Sequence, residues 1–221
     1  MTIDNDDLMN SVIASLGRIN PIPLEDMPNI DLYMDQLTTF MSERLKRTTR
    51  HPDVDKVLTK TMINNYAKND LLPPPVRKKY SKDHLILLIF IYYYKNLLSI
   101  NDIQTLITPL KERFHVSDDE LNLSKVYNTA FELQNEELQP LIEDLKEKYD
   151  RSLQTFSDID IDEEEKKRMQ MFSFISLLSY DVYIKKLLIE KILDNITDKE
   201  LAEKNKEKAK AKEEKLKKKN Q

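Results

Sequence analysis

The chain of 221 residues contains a single glycine, Gly17. Glycine enters the left-handed backbone region without steric cost, so many tight turns and phosphate-binding loops depend on it. A chain with one glycine is therefore expected to be mostly helical and to lack the glycine-rich loops of nucleotide-binding enzymes. Gly17 itself follows a short run of helically spaced apolar residues and is expected to end the first helix.

Residues 58–107 contain the most informative pattern in the chain. Thr59 can cap a helix that runs to about Asn69, because its hydroxyl can accept a hydrogen bond from a free N–H of the first turn. At about 100° per residue, one side of this helix is apolar and the other is polar. The apolar side holds Met62, Ile63, Tyr66 and Ala67, and the polar side holds Lys60, Thr61, Asn64, Asn65 and Lys68.

The polar side of this helix carries hydroxyl, carboxamide and amine groups and no carboxylate. These are the groups that bind phosphate oxygens and base edges in nucleic acids. An ordinary solvated helix face has a similar composition, and this helix alone favours that interpretation. The residues that follow shift the balance toward nucleic acid.

A basic turn follows the helix. Asn69 and Asp70 can turn the chain at the helix end, because both residue types tolerate the left-handed region. Prolines 73–75 then force an extended path. The turn itself, residues 76–80, carries Arg77, Lys78, Lys79 and Tyr80.

Two further helices are expected after this turn. Ser81 can cap the first, whose residues 85–94 are apolar nearly all round. Such a pattern is typical of a buried helix, and the run is too short to span a bilayer. Ser99 and Asp102 have the spacing of a capping box for the second helix, which Pro109 is expected to limit.

This order of elements resembles the N-terminal DNA-binding domain of MerR-type bacterial regulators, a winged helix-turn-helix domain. Their pattern reads V-S-x-R-T-I-R-Y-Y-E-x-x-G-L-L-P-P, followed by a wing that ends in an aromatic residue and a serine. The matching positions here are Leu58, Thr59, Ile63, Tyr66, Leu71, Leu72, Pro73, Pro74, Tyr80 and Ser81. The string TKTMINNY…LLPPPVRKKYS also resembles an uncharacterised bacterial family with this predicted domain. The resemblance covers about residues 30–107.

The resemblance implies a DNA-binding transcriptional regulator with a recognition helix at residues 59–69 and a short basic wing at residues 76–80. The residues expected to contact DNA are Thr59, Lys60, Thr61, Asn64, Asn65, Lys68, Arg77, Lys78, Lys79 and Tyr80. The sequence departs from the MerR pattern at several positions, and its wing is shorter and contains no glycine. Asn64 and Asn65 replace an arginine and a tyrosine, Ala67 replaces a glutamate, and Asp70 replaces the glycine.

The chain divides into four expected segments. Residues 1–28 hold a short amphipathic helix and a linker that contains prolines, and residues 29–115 form the helix-turn-helix domain. This domain should begin with a helix from Ile30 that Asn29 caps and whose basic end, residues 44–50, either satisfies the helix dipole or contacts phosphate. Residues 116–197 form a helical bundle for dimerisation or effector binding, and residues 198–221 form a charged tail that is either a solvated helix or disordered.

Three helices are expected in the bundle. The first has an acidic start at residues 117–120 and ends near Asn135, and the second has Pro140 in its first turn. The third runs from Asp162 to about Asn195 and has an apolar face broader than a two-stranded seam. The preceding helices or a second subunit must cover that face.

Charge and composition limit the function. The formal net charge is −4, but residues 56–82 carry seven cations and one carboxylate, and the local field decides which partners are attracted. The chain has no cysteine, and its three histidines are widely spaced. We therefore expect no disulfide, no metal site, no cofactor and no enzymatic activity.

We expect a cytoplasmic regulator that binds double-stranded DNA as a homodimer and does not contact membranes. The sequence does not decide whether a small-molecule or protein effector also binds. The alternative is a helical protein–protein interaction adaptor that keeps the fold and has lost DNA binding.

Overall fold

A computed structural model describes residues 5–16, 22–115 and 121–219. Within these residues lie seven α-helices and one two-stranded antiparallel sheet, so the all-α prediction is confirmed. Their order is α1 (Asn5–Leu16), β1 (Leu32–Tyr33), α2 (Met34–Leu45), α3 (Lys60–Lys68), β2 (Lys79–Tyr80), α4 (Lys82–Tyr94), α5 (Ile100–Lys111), α6 (Leu123–Leu153) and α7 (Glu163–Lys219). The helix end predicted at Gly17 and the acidic helix start predicted at residues 117–120 lie outside the described residues.

Helix α4 is the centre of the larger core. Its residues 84–92 are all buried, as the apolar sequence predicts, because β2, α5 and α6 pack around it. Burial of each large aliphatic side chain contributes about 1.5–3 kcal/mol. The core also contains Leu37, Met41 and Leu45 from α2, Ile63 and Tyr66 from α3, Ile103 and Ile107 from α5, and Leu123 and Tyr127 from α6.

The segment before β1 is fixed to this core by a hydrogen bond. The Tyr127 hydroxyl donates to the Ile22 carbonyl at 2.8 Å, and Met27 is buried nearby in the same cluster. Burial raises the pKa of Tyr127, so its hydroxyl stays protonated and keeps donating. The described part of the proline-containing segment is therefore attached to α6 at Ile22.

The first helix of the predicted domain starts later than expected. The prediction of a helix from Ile30 capped by Asn29 is wrong, because Leu32 and Tyr33 form a strand that pairs with Tyr80 and Lys79. Helix α2 begins at Met34, and the Gln36 side-chain oxygen accepts the Tyr33 N–H at 2.9 Å. The strand pairing satisfies backbone groups that the expected helix would have satisfied internally.

Two prolines lie inside helices. Helix α5 continues past Pro109, and α6 continues through Pro140, so the two separate helices expected across residues 123–149 are one. A proline removes one backbone donor and leaves a carbonyl group of the preceding turn unpaired. Both prolines are exposed, so water can bind the carbonyl groups that they leave unpaired.

Helices α6 and α7 form an antiparallel hairpin with a smaller core of its own. Met9 of α1, Tyr149 of α6 and Phe174 of α7 are buried together, and the two rings lie 5.4 Å apart between centroids. On the same hairpin, Lys148 donates hydrogen bonds to the carboxylates of Asp144 and Asp181. The bonds to these carboxylates raise the pKa of Lys148 and hold that of Asp181 below its usual range.

Helix α7 extends well past the hairpin. It passes along α5, where the hydroxyl oxygens of Thr105 and Thr197 lie 3.4 Å apart, and it continues as helix to Lys219. Of the two alternatives for the charged tail, the helical one is therefore observed up to Lys219. Among the described residues, none of the helices combines the length and the apolar content needed to cross a lipid bilayer.

Candidate nucleic-acid interface

Helix α3 has the two-sided character that its sequence predicts. Thr59 caps it, since its hydroxyl oxygen accepts the Met62 N–H at 3.2 Å. Ile63 and Tyr66 point into the core, with 0% and 8% of their surface exposed. Thr61, Asn64, Asn65 and Lys68 are exposed, and we call these four residues the polar stripe of α3.

The end of α3 turns through a left-handed residue. Asp70 has a φ of 54°, at the position where the MerR pattern has glycine, and Lys111 of α5 holds its carboxylate at 2.7 Å. The turn directs Leu71 and Leu72 into the core, where their N–H groups donate to the Tyr66 carbonyl. The polar stripe is thus fixed at its C-terminal end by core packing and by an ion pair.

The basic residues after the prolines form a tight hairpin turn, residues 76–79, which we call the wing turn. Its ends are joined by two backbone hydrogen bonds, from Val76 N–H to the Lys79 carbonyl at 3.1 Å and in the reverse direction at 2.9 Å. The two central residues, Arg77 and Lys78, have φ values of 51° and 64°. This is the backbone of a type I′ turn, in which glycine and asparagine are usual. Both side chains are exposed at the tip.

Tyr80 does not belong to the candidate interface. Its side chain is 4% exposed, and its ring packs edge to face on His84 with 5.3 Å between centroids. The resemblance places Tyr80 in the wing and so predicts a DNA contact by this residue. The alternation of strand β2 instead directs Tyr80 inward, where it fixes the wing turn to the core.

His84 packs against Tyr80 and Ser81, the residues that directly follow the wing turn. Its ring is buried, and its Nδ1 atom accepts the Ser81 N–H at 2.9 Å, so the ring caps the first turn of α4. Burial lowers the pKa of His84. The neutral ring with its proton on Nε2 is the form that can accept this bond.

The first turn of α3 and the wing turn meet the same short segment of chain. Lys60 of α3 forms an ion pair with Asp35, in the first turn of α2. Lys79 at the end of the wing turn places its ammonium 5.1 Å from the centroid of the Tyr33 ring. The junction between β1 and α2 therefore contacts both basic elements.

Two cations near this region are paired with carboxylates. At the basic end of α2, Arg44 lies 2.9 Å from Asp26 and Lys46 lies 3.0 Å from Asp53. Asp35 neutralises Lys60 in the same way, and the sequence did not predict this pair. The one indication in the sequence was the position of an acidic residue near the start of a helix, where negative charge is favourable.

The DUF1836 family model matches this region. Residues 22–130 match the Domain of unknown function (DUF1836). The DUF1836 segment contains both strands, α2, α3, α4 and α5, so the whole candidate interface lies within it. The match agrees with the resemblance of this sequence to an uncharacterised family. No match was found among curated proteins or among solved structures.

Proposed function

We propose that this protein binds double-stranded DNA and regulates transcription, with α3 in the major groove and the wing turn on the flanking backbone. The observation that carries the proposal is the joint exposure of the polar stripe of α3 and the cationic tip of the wing turn. Both elements contact the junction between β1 and α2, through Lys60 and Lys79. The DNA backbone is the polyanion that matches this pair of surfaces.

The spacing of the polar stripe suits a recognition helix. Thr61, Asn64, Asn65 and Lys68 follow one another at i, i+3, i+4 and i+7, so they lie along one face of α3. A B-DNA major groove admits one α-helix, and asparagine can bind adenine N6 and N7 with two hydrogen bonds. In this arrangement Asn64 and Asn65 read bases, and Lys68 binds a phosphate.

The backbone of the wing turn supports a binding role for its side chains. A residue with a Cβ in the left-handed region costs about 1–2 kcal/mol relative to the right-handed one. Arg77 and Lys78 both adopt that region. Strain of this kind is common at binding and active sites. Here it is retained to place two cations on the DNA backbone.

The remaining expectations fit the same function. Helix-turn-helix regulators usually bind two half-sites about one helical turn apart, so we propose that the protein acts as a homodimer in the cytoplasm. We propose binding as the whole activity, with no catalytic step. An effector that controls binding would act through the helices outside the DUF1836 segment.

The test is a mobility-shift titration of genomic duplex fragments with the full-length protein at moderate salt. The variant Asn64→Ala/Lys68→Ala removes two exposed side chains of the polar stripe and should weaken binding to the shifted fragments about tenfold or more. The control Lys191→Ala/Asn195→Ala removes the same two residue types at the same spacing from an exposed face of α7. It should leave binding unchanged.

Two results would reject the proposal. One is the absence of any shift at protein concentrations of about 10⁻⁴ M, the weak end of nonspecific DNA binding. The other is an equal loss of binding in both double variants. If a protein copurifies with the chain and no DNA is shifted, the adaptor alternative replaces the DNA-binding proposal.

A further inference from the structure

The two-stranded sheet has an outer face to which neither the polar stripe nor the tip of the wing turn belongs. Its inner face carries Leu32 and Tyr80, which are 5% and 4% exposed. Tyr33 pairs with Lys79 in the antiparallel ladder, and Val76 forms a single bridge with the same Lys79. Directly opposite residues of antiparallel strands project to the same face. Val76, Lys79 and Tyr33 therefore form one row across the outer face, which we call the outer row.

The outer row is open to water. Tyr33 and Val76 are 53% and 58% exposed. The ammonium of Lys79 lies 5.1 Å from the centroid of the Tyr33 ring. The row thus combines an aromatic ring, a cation and an aliphatic side chain on one small exposed face. The DNA backbone alternates sugars, which have apolar edges, with phosphate anions, so it can contact all three kinds of group.

The charge around the outer row is complementary to the DNA backbone. Residues 71–82 contain four cations and no carboxylate. Two carboxylates flank β1 in sequence, and one of them, Asp35, is paired with Lys60. The other, Asp31, precedes Tyr33 by two residues, at the end of the strand away from the tip of the wing turn. The surface is therefore positive toward the wing turn and ends at a negative charge.

We propose that the outer row is a further contact with the DNA backbone, in which Tyr33 binds a sugar and its phosphate. The ring of Tyr33 packs on a deoxyribose, its hydroxyl donates a hydrogen bond to a phosphate oxygen, and Lys79 neutralises that phosphate. Tyrosine hydroxyls and lysine ammonium groups are regular donors to phosphate. Val76 packs on a neighbouring sugar. The resemblance assigned an aromatic DNA contact to Tyr80, and Tyr33 takes that role in this arrangement.

This contact rests on the proposed function and adds a binding surface to it. Tyr33 contacts Lys79 at the end of the wing turn and lies two residues before Asp35, which pairs with Lys60 of α3. The contact therefore extends the backbone footprint from the wing turn toward the first turn of α3. Backbone contacts position a protein on the duplex and carry no sequence information directly. Tyr33 is expected to contribute equally on all duplexes.

A single tryptophan tests the contact directly. The chain has no tryptophan, so Tyr33→Trp places one fluorophore in the outer row. The matched control is Tyr183→Trp on α7, at a tyrosine that is 60% exposed and lies outside the DUF1836 segment. Anisotropy of a labelled duplex measures binding. Acrylamide quenching of the tryptophan is then measured in the full-length protein with and without a saturating amount of the unlabelled duplex.

The proposal predicts that DNA lowers the acrylamide quenching constant of Tyr33→Trp about twofold or more, because a ring packed on a sugar is shielded from the quencher. The constant of Tyr183→Trp should not change. Equal quenching of Tyr33→Trp with and without DNA, while anisotropy shows the duplex bound, would overturn the contact and leave DNA binding intact. A wild-type protein that binds no duplex would reject the proposed function, and the outer-row contact with it.

Affinity measurements provide the second test. Tyr33→Phe keeps the ring beside Lys79 and removes only the hydroxyl, so it should weaken binding about fivefold on every duplex. The slope of log K against log salt should stay the same, because no cation is removed. Tyr183→Phe should bind as tightly as the wild type. An unchanged affinity of Tyr33→Phe, or a loss confined to particular sequences, would overturn the bond between the hydroxyl and phosphate.

Val76→Glu tests the outer row without any change at Tyr33. It places a carboxylate beside Lys79 and should weaken DNA binding about tenfold, because the new charge repels phosphate. Val54→Glu adds the same charge at a loop residue that is 79% exposed, and its effect should be much smaller. Equal losses for the two glutamate variants would mean that only the net charge matters, and would overturn the proposal.

Discussion

The ammonium of Lys60, in the first turn of α3, pairs with the carboxylate of Asp35, in the first turn of α2. Both side chains are well exposed, so the pair contributes little to folding stability. The pair is expected to affect DNA binding more than folding stability. Asp35 places a negative charge beside the candidate interface and competes with phosphate for Lys60.

The substitution Asp35→Asn should therefore tighten DNA binding. It removes a charge that repels phosphate and leaves Lys60 available for a phosphate contact, so the slope of log K against log salt should become steeper by about one. Fluorescence anisotropy with one duplex at several salt concentrations measures this slope. Asp160→Asn, an exposed position in the loop before α7, should leave the slope unchanged. An Asp35→Asn protein with the original slope would remove Lys60 from the contact set.

Substitutions at Lys78 should separate the strain of the wing turn from its charge. Lys78→Gly relieves the left-handed strain and should raise the free energy of unfolding by about 1 kcal/mol. Lys78→Ala keeps a Cβ at the same φ and should not stabilise the protein. Because both variants remove one cation, both should reduce the salt slope of DNA binding by about one. Chemical denaturation and anisotropy are the two measurements.

The two Lys78 variants also define the results that would contradict a strained, DNA-binding wing turn. Equal stabilities for the glycine and alanine variants would mean that the turn carries no strain at this residue. Unchanged salt slopes in both variants would mean that the wing turn does not touch the DNA backbone.

His84 should make the wing turn sensitive to acid. Burial holds its pKa in the folded protein below the ordinary value of 6.5. The neutral ring therefore contributes stability that is fully present above about pH 6.5 and is lost as the pH falls toward the folded pKa. His84→Gln keeps an acceptor for the Ser81 N–H and does not titrate. We expect its unfolding free energy to fall less than that of the wild type over this range.

The comparison for His84 is the exposed His51. The unfolding free energy of His51→Gln should follow the wild-type pH curve, because that side chain is exposed in a loop. Denaturant titrations at several pH values supply both curves. If His84→Gln and the wild type lose stability in parallel below pH 6.5, the cap by the neutral His84 ring does not contribute to the pH dependence.

The sequence predicted the parts of the structure that local chemistry decides. The Thr59 cap, the apolar side of α3, the turn at Asp70 and the buried helix α4 follow from residue types within a few positions of one another. Each depends on a side-chain hydroxyl, on helical spacing or on tolerance of the left-handed region. Short-range signals of this kind can be read without knowing the fold.

The features that the sequence did not predict depend on contacts between distant residues. Leu32 and Tyr33 become a strand only because Tyr80 and Lys79 lie beside them, although these partners follow 48 and 46 positions later in the chain. Tyr80 turns inward for the same reason. The ion pair of Lys60 with Asp35 also joins two elements, and no local pattern of the sequence distinguishes Asp35 from the other acidic residues of helix starts.

The most direct test of base reading by α3 compares wild type with Asn64→Ala on a selected duplex and on variants of that duplex changed one base pair at a time. A random duplex library enriched by the wild-type protein supplies the sequence. Wild type should discriminate by about 1–3 kcal/mol at one adenine position, and Asn64→Ala should lose that discrimination while still distinguishing the other positions. Equal weakening of Asn64→Ala on every duplex, or failure of the wild type to enrich any sequence, would contradict base reading by α3.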